Sequence, residues 1–156
     1  MASHVDCDSH TTSAASSLKQ VYSTSSPFEK KIGYYRAVRH GRQIFVSGTT
    51  AVDPTSPSDA PQILFPGDAR QQTRVALQEC IRAVQALGGK GAENVVRVRM
   101  FVSQHRDCVA VGEGYTEVLG YASQPGVGAA ATMVVVNGFV DDRMLVEVEV
   151  DAILED

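Results

Sequence analysis

The segment DARQQTRVALQECIRAVQALGGKG (residues 68–91) constrains the fold more than any other part of the chain. Ala69, Thr73, Ala76, Leu77, Cys80, Ile81, Val84 and Leu87 recur at helical spacing and define one apolar face, while Arg70, Gln71, Arg74, Gln78 and Arg82 form much of the other. Asp68 stands where an N-cap is needed, and Gly88-Gly89 supply a left-handed stop. A helix with one apolar stripe has to bury it against another element. The next residues offer one. In VVRVRMFVS (95–103), Val96, Val98, Met100 and Val102 share one strand face, and Arg97, Arg99, Phe101 and Ser103 share the other.

The remaining chain extends this pairing into an α+β pattern. YYRAVRHGRQIFVSGTT reads as two short strands around the turn His40-Gly41-Arg42, with Ile44 and Val46 alternating against Gln43, Phe45 and Ser47. AVDPTSPSDAPQILFPG, with four prolines, is a loop. A second helix is expected in DCVAVGEGYTEVLGYA, weakened by Gly112 and Gly114. A closing hairpin is expected from strands at about 131–139 and 143–153. The order is ββαβαββ, with two helices covering one face of a sheet of about five strands. The other face carries Arg97, Arg99, Glu147, Glu149 and Asp151, and such a face turns to water or to another chain.

At 156 residues the chain suits one domain. Residues 1–26, rich in Ser, Thr and Ala and including His4 and His10, read as a flexible tail, and residues 27–156 as the domain. The net charge of −4 provides no basic field to gather nucleic acid. Cys7, Cys80 and Cys108 lie far apart with no metal-ligand spacing, so neither a disulfide framework nor a zinc site is expected, and Cys80 reads as a buried thiol. No apolar run approaches the roughly 20 residues that cross a bilayer, and the first residues lack a secretory apolar segment; the expected location is cytoplasmic, with no membrane partner.

YYRAVRHGRQIFVSGTTAVDP, QTRVALQECIRAVQALGG, NVVRVRMFVS and MLVEVEVDAI come in the order and spacing of Rid proteins, the YjgF/YER057c/UK114 or endoribonuclease L-PSP-like family, which the chain resembles over about residues 32–153. The resemblance implies a chorismate-mutase-like fold, a homotrimer with a central barrel, and small-molecule clefts between subunits without a metal or other cofactor. In the deaminase branch an arginine in a Pro-Ala-Arg motif clamps the substrate carboxylate, because only a guanidinium offers a permanently charged, two-pronged donor. The matching position here is Ala131, with Ala129 in place of the proline. A family asparagine in the second helix matches Gly112. The resemblance therefore implies a branch distinct from standard 2-iminobutanoate deaminases.

Other positions match. The family's cleft tyrosine corresponds to Tyr34 and its water-orienting glutamate to Glu147, so these are the catalytic candidates. Glu147 is a proton-transfer group or an interface carboxylate paired with Arg97 or Arg99; Tyr34 is a hydrogen-bond donor to substrate or a rim aromatic. Arg99 either replaces the missing clamp or forms a salt bridge on the sheet face. Ser47, Ala131, Thr132, Gly112 and Tyr115 complete the candidate ligand-binding set, although Ser and Thr at strand edges commonly bond local backbone. His40 and His105 have no serine partner that would make a catalytic triad. The expected function is imine or enamine hydrolysis, or a related step on a carbonyl-type metabolite. The alternatives are a non-catalytic trimer that binds a ligand or partner and, with the acidic charge against it, a ribonuclease.

Overall fold

The computed structural model of the chain describes residues 18–155. Its elements are β1 (Lys19–Tyr22), α1 (Pro27–Ile32), β2 (Ala37–His40), β3 (Gln43–Thr49), α2 (Ala69–Ala86), β4 (Val95–Val102), α3 (Cys108–Leu119), β5 (Ala130–Val135) and β6 (Val146–Ile153). The expected ββαβαββ core is present, preceded by a further strand and a short helix. Lys19–Tyr22, assigned from sequence to a flexible tail, instead pairs antiparallel with β2, from Lys19 opposite His40 to Tyr22 opposite Ala37. The strand has little apolar content to signal it. Ladder hydrogen bonds to an open edge hold it, together with Tyr22 packing against the core. Residues 1–17, which include His4, Cys7 and His10, lie outside the described residues.

The helix signal in residues 68–91 translates directly. Asp68 accepts a hydrogen bond from the Gln71 N–H at 3.0 Å, and beyond the last turn Gly88, at φ 97°, lets the Gly89 N–H reach back to the Val84 carbonyl at 2.9 Å. The apolar stripe packs onto the sheet: Ala76, Leu77, Cys80 and Val84 are fully buried with Val98, Val102, Val146, Val148 and Ile44. Gln72 is also buried, although its type predicts otherwise. Its amide donates to the carbonyls of Arg143 (2.9 Å) and Phe65 (3.2 Å) and accepts from the Leu145 N–H (2.9 Å), so neither the amide nitrogen nor the amide oxygen is left without a partner. Helix α3 packs along α2 through Gly114, where a Cβ would stand 2.6 Å from the Arg70 carbonyl oxygen; Gly112 faces open space.

The six strands run in the order β1-β2-β3-β6-β4-β5. Two details differ from the sequence reading. The last two strands do not form a hairpin: β6 enters the centre, antiparallel to both β3 and β4, while β5 takes the edge, parallel to β4. A period-two pattern fixes which face a residue occupies but not which strand lies beside it, and α3 provides the crossover a parallel pair requires. The second detail is Val96, expected in the core but 42% exposed. The pairs Val95–Ala152 and Arg97–Asp151 bracket a β-bulge, which turns Val96 outward and puts Val95 inside instead.

The face away from α2 and α3 is polar, as the alternation implied. Arg99 Nε lies 2.7 Å from Glu149 and its Nη1 3.2 Å from Asp151, while Phe45 on the same face is 47% exposed.

Candidate functional site

Three turns of chain converge beside the top of β6. The first follows α1, where Gly33 adopts φ 87° and closes the helix onto the Glu29 carbonyl, directing Tyr34 and Arg36 back toward the sheet. The second is the end of β3. Here Val46 pairs with Val150 but Thr49 pairs with Val148, so three steps on one strand match two on the other and leave a bulge at Ser47-Gly48. The third is β6 itself, whose alternation puts Val146 and Val148 in the core and turns Glu147 to the polar face. A Cβ at Gly48 would overlap the Glu147 carboxylate, so glycine is what allows the acid to lie over the bulge.

Together these segments wall a cavity of about 420 Å³ whose polar lining includes Tyr34, Arg36, Ser47 and Glu147, with Phe28, Ile32, Leu64 and Met144 among its apolar residues. A few convergent polar groups in a largely apolar hollow are the usual make-up of a small-molecule site. The Glu147 carboxyl is pushed above the usual glutamate range, first by burial and then by repulsion from Glu149, with the Arg36 charge pulling the other way. Among the described residues none donates a hydrogen bond to it. A carboxyl in this condition exchanges protons more readily than one locked in an ion pair.

Arg36 and Glu29 were not singled out in the sequence, yet they form the most buried ion pair of the described residues, at 5% and 4% exposure. Arg36 Nε donates to Glu29 at 2.8 Å, and its Nη1 donates to the Gly48 carbonyl (2.9 Å) and the Thr49 hydroxyl (2.8 Å). Glu29 also accepts from the backbone N–H and the hydroxyl of Thr24. The Arg36 guanidinium lies 5.8 Å from the centre of the Tyr34 ring, within cation–π range. No sequence periodicity links position 29 to position 36, so only the fold reveals this pair.

The other sequence candidates fall elsewhere on the protomer. Ser47 lines the cavity, but its hydroxyl donates to the Tyr35 carbonyl at 2.7 Å. Arg99 is engaged by Glu149 and Asp151 and does not reach the cavity. Ala131 and Thr132 lie on edge strand β5, opposite Val98 and Arg99. Tyr115 donates to the Ala129 carbonyl at 3.4 Å beside a shallow depression that also includes Ala131, and Gly112 lies in a separate surface hollow with Arg70 and Glu113. Within one chain, therefore, Tyr34, Ser47 and Glu147 come together in the cavity and the other five lie outside it. Cys80 is fully buried and its thiol is pushed up to about 12 by that burial, which makes it a core residue and no nucleophile. Among the described residues there is no group of three or more His, Cys, Asp or Glu side chains placed to hold a metal ion, and no helix long and apolar enough to cross a membrane.

Comparison with known proteins agrees with this architecture. The family model described as Endoribonuclease L-PSP matches residues 24–154. The uncharacterized protein SCO2049 of Streptomyces coelicolor is 36% identical over 129 residues, covering 83% of this chain and 87% of its own. A RutC family protein of Pyrococcus horikoshii, PH0854, is 28% identical over 104 residues, covering 66% and 77%. Among solved structures, Rv2704 of Mycobacterium tuberculosis, described as a member of the highly conserved YjgF/YER057c/UK114 family, superposes with a TM-score of 0.69 at 31% identity, over 87% of this chain and 99% of that one. The match of the family model to nearly all of the described fold, with these relatives, shows that the chain belongs to the endoribonuclease L-PSP family, also called YjgF or Rid.

Proposed function

We propose that the protein is a small-molecule enzyme that carries out acid/base chemistry in the Glu147 cavity, hydrolysing an imine or enamine or acting on a related carbonyl compound. Family membership supports a small-molecule-related function in general. The observation that carries the finer reading is Glu147 itself, a half-buried carboxyl with a raised affinity for protons and no bonded donor, facing the same hollow as the Tyr34 side chain. In this reading Glu147 takes a proton from water as it adds to the C=N carbon and returns it to the departing nitrogen. Tyr34 donates to, or positions, the reacting group. The protein works as a homotrimer. In this reading edge strand β5, whose Ala131 and Thr132 are exposed in the single chain, lies against the cavity of a neighbouring copy. Because Ala131 carries no donor, the protein differs from a standard 2-iminobutanoate deaminase.

The test is to supply 2-iminobutanoate generated in situ, alongside a panel of other imines and enamines, to the wild type and to Glu147→Gln. The expected result is turnover of at least one panel compound, with 2-iminobutanoate a poor substrate, and a loss of about 10²-fold or more in the variant. Wild-type rates in Glu147→Gln, or no turnover of any compound, would overturn the proposal.

A further inference from the structure

The arginines around Glu147 are each taken by another acid. Arg36 and Arg82 line the same cavity, and Arg99 lies on the neighbouring strand β4, two positions from Phe101, which pairs with Glu147. Arg82 of α2 holds Glu79 at 2.6 Å, and Arg99 holds Glu149 and Asp151. In the loop before β6, Arg143 holds Asp141 at 2.7 Å. The segment of β3 against Glu147, Ser47-Gly48-Thr49, carries no charge.

Among these arginines it is Arg36 whose charge reaches the Glu147 carboxyl, pulling against the burial and the Glu149 repulsion that raise its affinity for protons. Glu29 keeps that pull from becoming an ion pair. Its carboxylate, on α1, accepts from Arg36 Nε at 2.8 Å, while the Gly48 carbonyl and the Thr49 hydroxyl occupy Nη1. Glu29 is fixed in turn by the backbone N–H of Thr24 at 2.7 Å and its hydroxyl at 2.6 Å. A buried cation that loses its partner is strongly destabilising, and it favours the ionised form of any acid within its field. Without Glu29, the unpaired acid in the field of Arg36 is Glu147.

We infer that Glu29 is a positioning residue of the reaction: by holding the Arg36 charge in a closed pair, it leaves Glu147 free to exchange its proton with water and substrate. This rests on the reading of Glu147 as the proton-transfer group and names the residue that controls it. Glu29 is not among the residues that line the cavity, so it acts through Arg36. It belongs to α1, ahead of the ββαβαββ core, so the charge balance of the site depends on a helix outside that core.

The test reads the Glu147 titration by NMR on carbon-13-labelled glutamate, with no substrate present. Glu29→Gln keeps an oxygen for Arg36 Nε but leaves the guanidinium charge unbalanced, which favours ionised Glu147. The titration should fall by about one pH unit or more, and the limb of the pH–rate profile that reports Glu147 should move to lower pH by the same interval. Arg36→Met with Glu29→Leu removes the cation and the acid together, and its Glu147 titration should stay at or above the wild-type value. Melting temperatures establish that each variant is folded. A titration unmoved in folded Glu29→Gln, or below the wild-type value in the double variant, overturns the inference. The second result decides even if Glu29→Gln does not fold. Because the titration is read without turnover, a Glu147→Gln variant that is still active would overturn the proposed chemistry alone. An unmoved titration in Glu29→Gln would overturn only the role of Glu29.

Discussion

Replacing Gly48 with alanine separates the placement of Glu147 from the stability of the fold. The added Cβ would overlap Glu147 Oε1 and lie 2.9 Å from its Cδ and 3.3 Å from its Cγ. All three atoms belong to the outer part of a side chain that can rotate, and Gly48 is not among the residues with positive φ, so its backbone accepts alanine. Restricting the unfolded chain stabilises by about 0.4–1 kcal/mol, while forcing a glutamate off its rotamer costs about 0.5–1.5 kcal/mol. The two offset to within about 1 kcal/mol, equivalent to only a few degrees in melting temperature. The carboxylate, however, must leave its place over the bulge for a wetter one. Its titration should then fall toward the ordinary glutamate value, read by NMR on carbon-13-labelled glutamate, and turnover should drop with it. Gly114→Ala is the contrasting control, since its Cβ would meet the Arg70 backbone oxygen at 2.6 Å and the Thr73 Cβ at 2.8 Å. Overpacking there should cost about 1–3 kcal/mol and leave the Glu147 titration unmoved. If Gly48→Ala left both the titration and the turnover unchanged, the close approach of Gly48 and Glu147 would have no bearing on the site.

Other expectations follow from the same contacts. Because burial raises the Glu147 carboxyl, its neutral form favours the fold; that contribution is complete below the unfolded value near 4.5 and is lost as pH rises through the higher folded value. Glu147→Gln should therefore raise the melting temperature at pH 8 and change it little at pH 4. Arg36→Met strands the Glu29 carboxylate at 4% exposure and should cost about 3–5 kcal/mol in chemical denaturation, much of it recovered in Arg36→Met with Glu29→Leu. Gln72→Leu leaves the Leu145 N–H and the Arg143 carbonyl without their partner, while the Phe65 carbonyl keeps the Asp68 N–H, at a cost of about 1–3 kcal/mol. Amide exchange at Leu145 should quicken in that variant.

Most of the layer structure was legible because it is periodic. The stripe from Ala69 to Val84 and the alternation from Val98 to Val102 each name a buried face, and both faces meet in the core. Bulges and neighbours were not legible. A bulge is one residue out of step, and nothing in the type of Val96 or Ser47 announces it. Strand neighbours depend on the crossover, so the valines of β5 gave no sign that β4 lies between them and β6. At the site, Tyr34, Ser47 and Glu147 were named from the resemblance, and the fold gathers them. The ion pair that braces them escaped notice because Arg36 and Glu29 read as ordinary solvated charges until the chain folds back on itself after Gly33.

The sheet order also sets a sequence of events during synthesis. β3 and β4 flank a slot that only β6 fills, and β6 is the last of the described elements to be made. Until then Ile44, Val46, Val98 and Met100 lack their central neighbour, and a nascent chain ending before residue 146 has two half-sheets with no strand between them. The strand that joins them also brings Glu147. Completion of the core and arrival of the cavity's carboxyl are one step, so a chain cut short there has neither a closed sheet nor Glu147.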